Sequence, residues 1–293
     1  MLTLDAHVKF IPIPTQMLSV LLFLIGLAAG ILINRAADNL PYERSLLAAP
    51  GCAHCGTPRA KLQNSGSLSF ILRRDRCAQC SAPLSLRAPI VEIGTAALFA
   101  WLALRYPIGV YLGVVCFFSA VLILIAVIDL EHKLILNVVS LPMTALAFLT
   151  SPILLGGPGT TIESLSLKPY WLAFLGIVTG YLVTLGIYYL GVLFLRIVNR
   201  GRAKKINTVA FGMGDVKLAG LLGALVGFPA IVYVLVYAIL LGGVGAILFI
   251  AFRAATRRPY SAFTAIPYGP YLILAGAAFL YFGPELLARA LGT

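Results

Sequence analysis

Two aspartates lie inside apolar stretches of this chain. Asp129 follows the run Val121–Ile128, and Asp215 lies within Phe211–Lys217, which reads Phe-Gly-Met-Gly-Asp-Val-Lys. A charged side chain at the centre of a membrane helix costs roughly 2.5–3.5 kcal/mol on insertion scales, so such acids usually serve a function. Two carboxylates held close together share one proton, and the ionised acid can then take a proton from water while the neutral acid donates one. The pair predicts an aspartyl protease acting at the membrane face.

The residues around Asp215 suggest how a peptide could reach it. Glycine allows another backbone to approach closely, so we predict that Gly212 and Gly214 bind substrate, with unwound backbone beside Asp215 pairing with an extended peptide. Lys217 lies two residues further on, and residues at this spacing do not face each other on a helix. A local ion pair therefore explains Asp215 poorly, and we group Lys217 with the glycines as a substrate-binding candidate.

A second candidate site lies in a polar segment near the N-terminus. Two Cys-x-x-Cys pairs, Cys52 with Cys55 and Cys77 with Cys80, are separated by 21 residues. Small or turn-forming residues follow each pair, a pattern typical of a zinc ion held by four thiolates. The alternatives are a disulfide pair or a redox centre, which a reducing compartment and the lack of a βαβ pattern disfavour. We predict a structural zinc that folds a loop too short for its own core.

The composition indicates that a membrane surrounds the elements carrying these sites. Of the 293 residues, 60% are hydrophobic and 11% are charged, and about 20 mostly apolar residues cross a bilayer core as a helix. We predict an all-α polytopic membrane protein with about eight transmembrane helices and a zinc-binding cytoplasmic loop. The predicted spans are 14–33, 89–106, 108–128, 134–155, 170–195, 208–227, 229–252 and 262–283. The sixth is rich in glycine, which is tolerated at membrane depth where backbone lines a cavity.

The basic residues predict the orientation of these spans. With both termini on one side, alternate loops contain 17 of the 22 lysines and arginines. They are Arg35, Arg44, Arg59, Lys61, Arg73, Arg74, Arg76, Arg87, Lys133, Arg196, Arg200, Arg202, Lys204, Lys205, Arg253, Arg257 and Arg258. The opposite side has Lys9, Arg105, Lys168 and Arg289, and Lys217 lies inside a span. The positive-inside rule then makes the first side cytoplasmic and places both aspartates and the cysteine loop there. This distribution favours topology over nucleic-acid binding as the reason for the net charge of +12.

At this point the sequence resembles the type IV prepilin peptidase family, membrane aspartyl proteases with a Gly-x-Gly-Asp signature that process type IV pilins and type II secretion pseudopilins. The resemblance covers nearly the whole chain. It rests on Gly30 with Asn34, Leu40-Pro41, both cysteine pairs, the segment Arg87–Glu92, Asp129-Leu130, the segment Gly212–Leu218 and the segment Ile266–Pro270.

The resemblance implies that Asp129 and Asp215 hydrolyse the peptide by general acid–base catalysis on a water, without a covalent intermediate. The implied substrate is a prepilin or pseudopilin inserted in the membrane, cut after a glycine on the cytoplasmic side of the bacterial inner membrane. Many members of the family then methylate the new N-terminal amine with S-adenosylmethionine, and the cysteine-bearing loop is associated with that activity. Membrane lipid is a further expected partner, nucleic acid is not, and the oligomeric state is left open.

The same resemblance suggests three segments: 1–34 with the first transmembrane helix, 35–88 as the methyltransferase-associated zinc loop, and 89–293 as the transmembrane peptidase core. Glu92 falls where the loop joins the second span. We predict either a buried, hydrogen-bonded acid that orders the loop, which we favour, or a group that contacts the substrate amine. We keep Glu92 among the substrate-binding candidates. With no small-residue cleavage site after the first apolar run, we also expect that span to be retained.

The chain departs from the family pattern at three places. Ile135-Leu136-Asn137 replaces Ile-Pro-Asp or Ile-Pro-Asn, which concerns helix entry, since Asn137 is kept. Ile93–Ala96 replaces Leu-Leu-Thr-Gly, and Asn39 replaces an arginine. The last two changes lie in the part linked to methylation, so a peptidase without methyltransferase activity is one alternative. A proton-coupled transporter is another, although it would need acids near mid-membrane; a structural scaffold is a third, but it would leave the acids without a purpose.

Overall fold

The computed structural model describes residues 14–45, 51–52, 54–58, 65–73, 76–160, 166–200, 211–256 and 267–291. The helices are α1 Thr15–Asn39, α2 Gly66–Ile71, α3 Arg87–Arg105, α4 Val110–His132, α5 Asn137–Leu149, α6 Ser151–Gly156, α7 Leu167–Asn199, α8 Met213–Val226, α9 Ala230–Ala255 and α10 Gly269–Leu291. A short 3₁₀ turn, Leu40–Tyr42, follows α1. Two isolated β-bridges are present, and no β-strand occurs in the described ranges. The prediction of an all-α protein is confirmed.

Within the described residues, five helices are long and apolar enough to cross a membrane, namely α1, α3, α4, α7 and α9. The count of about eight spans is not confirmed, because α5, α8 and the apolar part of α10 are shorter. With 14 residues, α8 is about 21 Å long at 1.5 Å per residue, short of a bilayer core of about 30 Å. The predicted span 134–155 is broken at Thr150, where Pro152 opens α6 without a backbone N–H. The chain is a membrane protein.

One packing unit contains residues up to 32 together with 51–108. In it, α1 approaches α3 closely through two glycines. A Cβ added to Gly26 would lie 2.6 Å from the Ala96 Cα, and one added to Gly30 would lie 2.5 Å from the Glu92 Cα. Since real Cβ atoms do not come so near, both positions need glycine for this backbone contact.

The second unit contains residues 33–50 and 109–293, with α8 at its centre. This helix packs against α5, α6, α7, α9 and α10, and Leu218, Leu221 and Leu222 on it are fully buried. Against α7 the backbones touch: a Cβ on Gly223 would overlap the carbonyl oxygen of Gly176. Gly223 thus serves helix packing, rather than lining a cavity as the glycine content of this span had suggested. The units divide the chain at other points than the three predicted segments, which stay a prediction.

Candidate active site

Asp129 lies in the last turn of α4 with a side chain that is 5% exposed. The helix ends three residues later because Lys133 adopts the left-handed conformation, with a φ of 52°. The backbone N–H of Lys133 donates to the Asp129 carbonyl oxygen at 2.9 Å and closes the helix there. The carboxylate oxygen Oδ2 of Asp129 is buried and accepts no hydrogen bond from the described residues. A buried polar atom in this state is unusual and points to a function.

Asp215 lies in the first turn of α8 and is 8% exposed. The backbone N–H of Gly212 donates to its Oδ2 at 3.0 Å, and the N–H of Asp215 donates to the Gly212 carbonyl oxygen at 3.1 Å. A carboxylate in a first helical turn is stabilised by the unpaired N–H groups and the positive end of the helix dipole. The carboxylate of Asp215 is therefore held in a fixed orientation by the start of its own helix.

The two carboxylates meet at the first residue of α10. A Cβ added to Gly269 would overlap Oδ2 of Asp129 and would lie 3.6 Å from Oδ1 of Asp215. Both acids thus face one point, from α4 and α8, across a glycine backbone. Two buried carboxylates in this arrangement can share a proton and act on one water molecule between them.

The predicted substrate-binding residues next to Asp215 have different surroundings. The helix begins at Met213, so Gly214 is already helical, and a Cβ on it would lie 2.9 Å from the Ile135 Cβ. Gly212 has an extended backbone, with φ −91° and ψ 156°, and an added Cβ there would make only ordinary contacts. Towards the C-terminus, the non-helical backbone beside Asp215 therefore ends at Gly212, and α8 begins at the next residue.

Lys217 does not pair with Asp215 in the described contacts. Its Nζ donates to Oδ1 of Asn137, the first residue of α5, at 2.6 Å. The sequence analysis noted that Asn137 matches the family pattern but gave it no role. Its contact with Lys217 joins the start of α5 to α8 and leaves the lysine charge without an acidic partner among its described contacts.

Sequence reasoning gave no separate role to Gly269. Its signals were its place in the family-like segment Ile266–Pro270 and the proline that follows it, since a proline suits the start of a helix. Tyr268, just before it, packs its ring against Phe211 at a centroid distance of 5.1 Å. Further along α10 the Tyr281 hydroxyl donates to the Ser119 Oγ of α4 at 2.8 Å. These contacts fix α10 against the other two elements of the site.

The four cysteines form a separate cluster, in the first unit. Their Sγ atoms all lie within 4.8 Å of one another, and none is in a disulfide. Cys52 and Cys80 are 3.6 Å apart, and Cys55 and Cys77 are 3.7 Å apart, between Sγ atoms. Four thiolates at about 2.3 Å from one zinc would be about 3.8 Å apart on a tetrahedron. The four donors therefore fit a tetrahedral metal ion.

Each cysteine pair forms the same backbone turn. The N–H of Cys52 donates to the Thr57 carbonyl oxygen at 2.9 Å, and the N–H of Cys77 donates to that of Ala82 at 2.9 Å. The residue after each pair is left-handed, Gly56 with φ 73° and Ser81 with φ 55°. The Thr57 hydroxyl donates to Gln79 Oε1 at 2.6 Å and joins the two turns.

In the first turn, backbone N–H groups are directed at the sulfur. Those of Cys55 and His54 lower the pKa of the Cys52 thiol, which favours the thiolate that a metal requires.

Glu92 is 1% exposed, and both of its carboxylate oxygens accept hydrogen bonds from the start of α2. Oε1 accepts from the Gly66 N–H at 2.7 Å, and Oε2 accepts from the Ser65 hydroxyl at 2.8 Å and the Ser67 N–H at 3.0 Å. This geometry fits the interpretation of Glu92 as a buried acid that orders the loop. A contact with a substrate amine stays a prediction.

Comparisons with known proteins identify the same family over most of the chain. Residues 116–247 match the model of the type IV leader peptidase family, and residues 24–106 match that of the bacterial peptidase A24 N-terminal domain. A prepilin leader peptidase/N-methyltransferase of Aeromonas hydrophila is 32% identical over 258 residues, 86% of this chain and 78% of that protein.

Two further relatives have the same name. The Bacillus subtilis (strain 168) protein is 27% identical, covering 93% of this chain and 97% of its own length. The Burkholderia pseudomallei (strain 1026b) protein is 30% identical, covering 85% and 72%. No solved structure matches this chain.

Proposed function

The chain belongs to the type IV leader peptidase family, and from that premise we propose that it removes the leader peptide of a prepilin or pseudopilin and then methylates the new N-terminal amine. It is an enzyme, an aspartic endopeptidase with N-methyltransferase activity. The resemblance noted in the sequence is confirmed by the family match. The observation that carries the peptidase proposal is the convergence of Asp129 and Asp215 on one point at Gly269.

The proposed hydrolysis uses a water between the two carboxylates. The ionised acid takes a proton from that water, and the water oxygen attacks the scissile carbonyl carbon. The neutral acid donates its proton to the carbonyl oxygen, which gives a neutral tetrahedral intermediate. Collapse of this intermediate breaks the C–N bond: the aspartate that took the water proton donates it to the leaving amine, and the other aspartate takes a hydroxyl proton as the new carboxyl group forms. The orphaned Oδ2 of Asp129 supports this proposal, because a water or substrate can supply its missing partner.

Substrate binding is assigned to the residues beside Asp215. The extended backbone at Gly212 can pair with an extended peptide, as unwound backbone does in strand addition. Lys217, directed by Asn137, supplies a cation that can bind a carbonyl or carboxylate of the substrate. Gly214 contributes indirectly, because its packing against Ile135 sets the start of α8 against the α4–α5 connection.

Zinc is the metal we propose for Cys52, Cys55, Cys77 and Cys80, since four thiolates at tetrahedral spacing suit it. Its role there is structural, because all four positions around the ion are taken by protein. S-adenosylmethionine supplies the methyl group when bound, as the names of the relatives suggest. Glu92 supports the methyltransferase-associated segment by holding α2 against α3.

The proposed location is the bacterial inner membrane, with the aspartates and the cysteine loop facing the cytoplasm. The excess of basic residues in alternate loops supports this orientation. The proposed partners are a membrane-inserted prepilin or pseudopilin and lipid. The segments 1–34, 35–88 and 89–293 are proposed as the first span, the methyltransferase-associated loop and the peptidase core. Neither family match supports the transporter alternative.

The test of this function is the intact mass of a purified prepilin after incubation with the detergent-solubilised protein, with and without S-adenosylmethionine. The expected result is loss of the leader mass in both samples and a further methyl gain only with the methyl donor. Leader loss alone would restrict the protein to proteolysis. An unchanged prepilin mass with a well-folded sample would contradict the proposal.

A further inference from the structure

Several contacts that do not involve the carboxylates order the start of α10 and attach this helix to its neighbours. The N–H groups of Tyr271 and Leu272 donate to the Tyr268 carbonyl oxygen at 3.1 and 3.3 Å. The Tyr268 ring packs on Phe211, next to Gly212 and the start of α8. Tyr281, further along, bonds to Ser119 of α4. A shift of Gly269 away from the carboxylates would therefore disturb the packing of the adjacent Tyr268 on Phe211, in the segment that leads into α8.

Gly269 is not required by the conformation of its backbone. The glycines with positive φ among the described residues are Gly56, Gly157 and Gly227. What position 269 requires is space, because a Cβ there would overlap Oδ2 of Asp129 and touch Oδ1 of Asp215. Asp129 is 5% exposed, so its carboxylate has little room to move aside.

The overlap falls on the atom that lacks a protein partner. Oδ2 of Asp129 is buried without a hydrogen bond from the described residues, and it lies beside the first residue of α10, a helix that is kinked at Phe282. The positive end of a helix dipole stabilises negative charge near it. The missing side chain at 269 therefore lets the positive end of this helix lie against the carboxylate pair.

We propose that Gly269 is a positioning residue of the active site: its lack of a side chain lets the start of α10 lie directly against the carboxylates of Asp129 and Asp215. The proposal rests on the proposed peptidase function. It assigns α10 as the third element of the site, together with α4 and α8. Gly269 contributes no reacting group and acts through the placement of the two carboxylates.

The test compares G269A with G276A, a matched change on the same helix. A Cβ at Gly276 would overlap the buried Leu222 side chain of α8, and not the carboxylates, so it introduces similar crowding away from the acids. Because a misplacement of about 1 Å costs about 10²-fold in rate, G269A should lower kcat for leader cleavage about 100-fold with KM unchanged. G276A should keep a kcat close to that of the wild type, and both variants should still methylate a pre-cleaved pilin.

A double variant tests the contact itself, even where G269A is too unstable to assay. Removing the Asp129 carboxylate removes the overlap, so D129A/G269A should be more heat-stable in detergent than G269A. The same D129A change should bring no such gain to G276A. A G269A enzyme with wild-type kcat, or a D129A/G269A protein no more stable than G269A, would overturn the inference. A wild-type protein that leaves prepilin uncut would instead contradict the proposed function.

Discussion

The backbone N–H of Gly66 donates a hydrogen bond to Oε1 of the buried Glu92 at 2.7 Å, and so ties α2 to α3. A Cβ on Gly66 would overlap Ala88, so the two helices touch directly at this glycine. Since α2 lies in the chain between the two cysteine pairs, this bond fixes part of the cysteine-bearing segment to a predicted membrane span. Glu92 thereby connects the segment between the cysteine pairs to α3, the helix that follows the second pair.

Glu92→Gln should loosen this link. The NH₂ replaces one of the two acceptor oxygens, so either the Gly66 N–H or the Ser67 N–H and Ser65 hydroxyl lose their acceptor, and a buried donor left unpaired costs about 1–3 kcal/mol. We expect faster limited proteolysis between the cysteine pairs and a loss of methylation that exceeds any loss of leader cleavage. The matched control is the exposed Glu43→Gln. Wild-type resistance to proteolysis in Glu92→Gln would show that the bond does not order the segment.

Asp129→Asn and Asp215→Asn test the roles of the two acids. Each amide keeps the size of the side chain and removes the shared proton, and general acid–base catalysis contributes about 10²–10⁴-fold. We expect leader cleavage to fall by at least that factor in each variant, with unchanged insertion and unchanged methylation of a pre-cleaved pilin. Glu131→Gln, two residues from Asp129 and 37% exposed, is the control. Normal cleavage by both asparagine variants would rule out the pair as the catalytic groups.

The chemistry-bearing residues could be predicted from sequence because their types conflict with their surroundings. Asp129 and Asp215 stand out against apolar neighbours, and the Cys-x-x-Cys spacing defines a turn by itself. Gly269 could not be found in this way. The need for a glycine at position 269 arises only when α4, α8 and α10 pack together. The sequence around a glycine does not show which side chains of other helices will contact it.

The predicted number of spans is not confirmed among the described residues, for a related reason. Hydropathy measures how apolar a segment is, and α8 is apolar because protein surrounds it: Leu221 and Leu222 are fully buried among neighbouring helices. Gly223 likewise lowers the hydropathy of the predicted span, whereas in the structure it allows close backbone contact with Gly176. Apolar composition alone does not distinguish a helix covered by lipid from a helix covered by other helices.

Removal of the cysteines should release the metal. Cys52→Ser and Cys77→Ser each remove one of the four thiolates that are proposed to coordinate the metal ion. We expect about one zinc per chain in the wild type and a large loss in either variant, measured by elemental analysis. Cys116→Ser is the matched control, since Cys116 is buried in α4 outside the cluster. Unchanged metal content in the first two variants would contradict the four-thiolate site.

The two cysteine turns differ at the residue that follows each pair, and this difference predicts opposite effects of two substitutions. Ser81 adopts a φ of 55° and Gly56 a φ of 73°, a region that costs a side-chain-bearing residue about 1 kcal/mol. Ser81→Gly should therefore stabilise its turn, while Gly56→Ala should destabilise the other. A Cβ at Gly56 would meet nothing within 4 Å, so the second change isolates backbone conformation.

Because metal binding and folding of such a loop are coupled, a change of about 1 kcal/mol appears as about a fivefold change in zinc affinity. Competition with a chelator should show tighter zinc binding in Ser81→Gly and weaker binding in Gly56→Ala, with leader cleavage unchanged in both. Effects of the same sign in the two variants would mean that the turns do not bind the metal through equivalent backbone geometry.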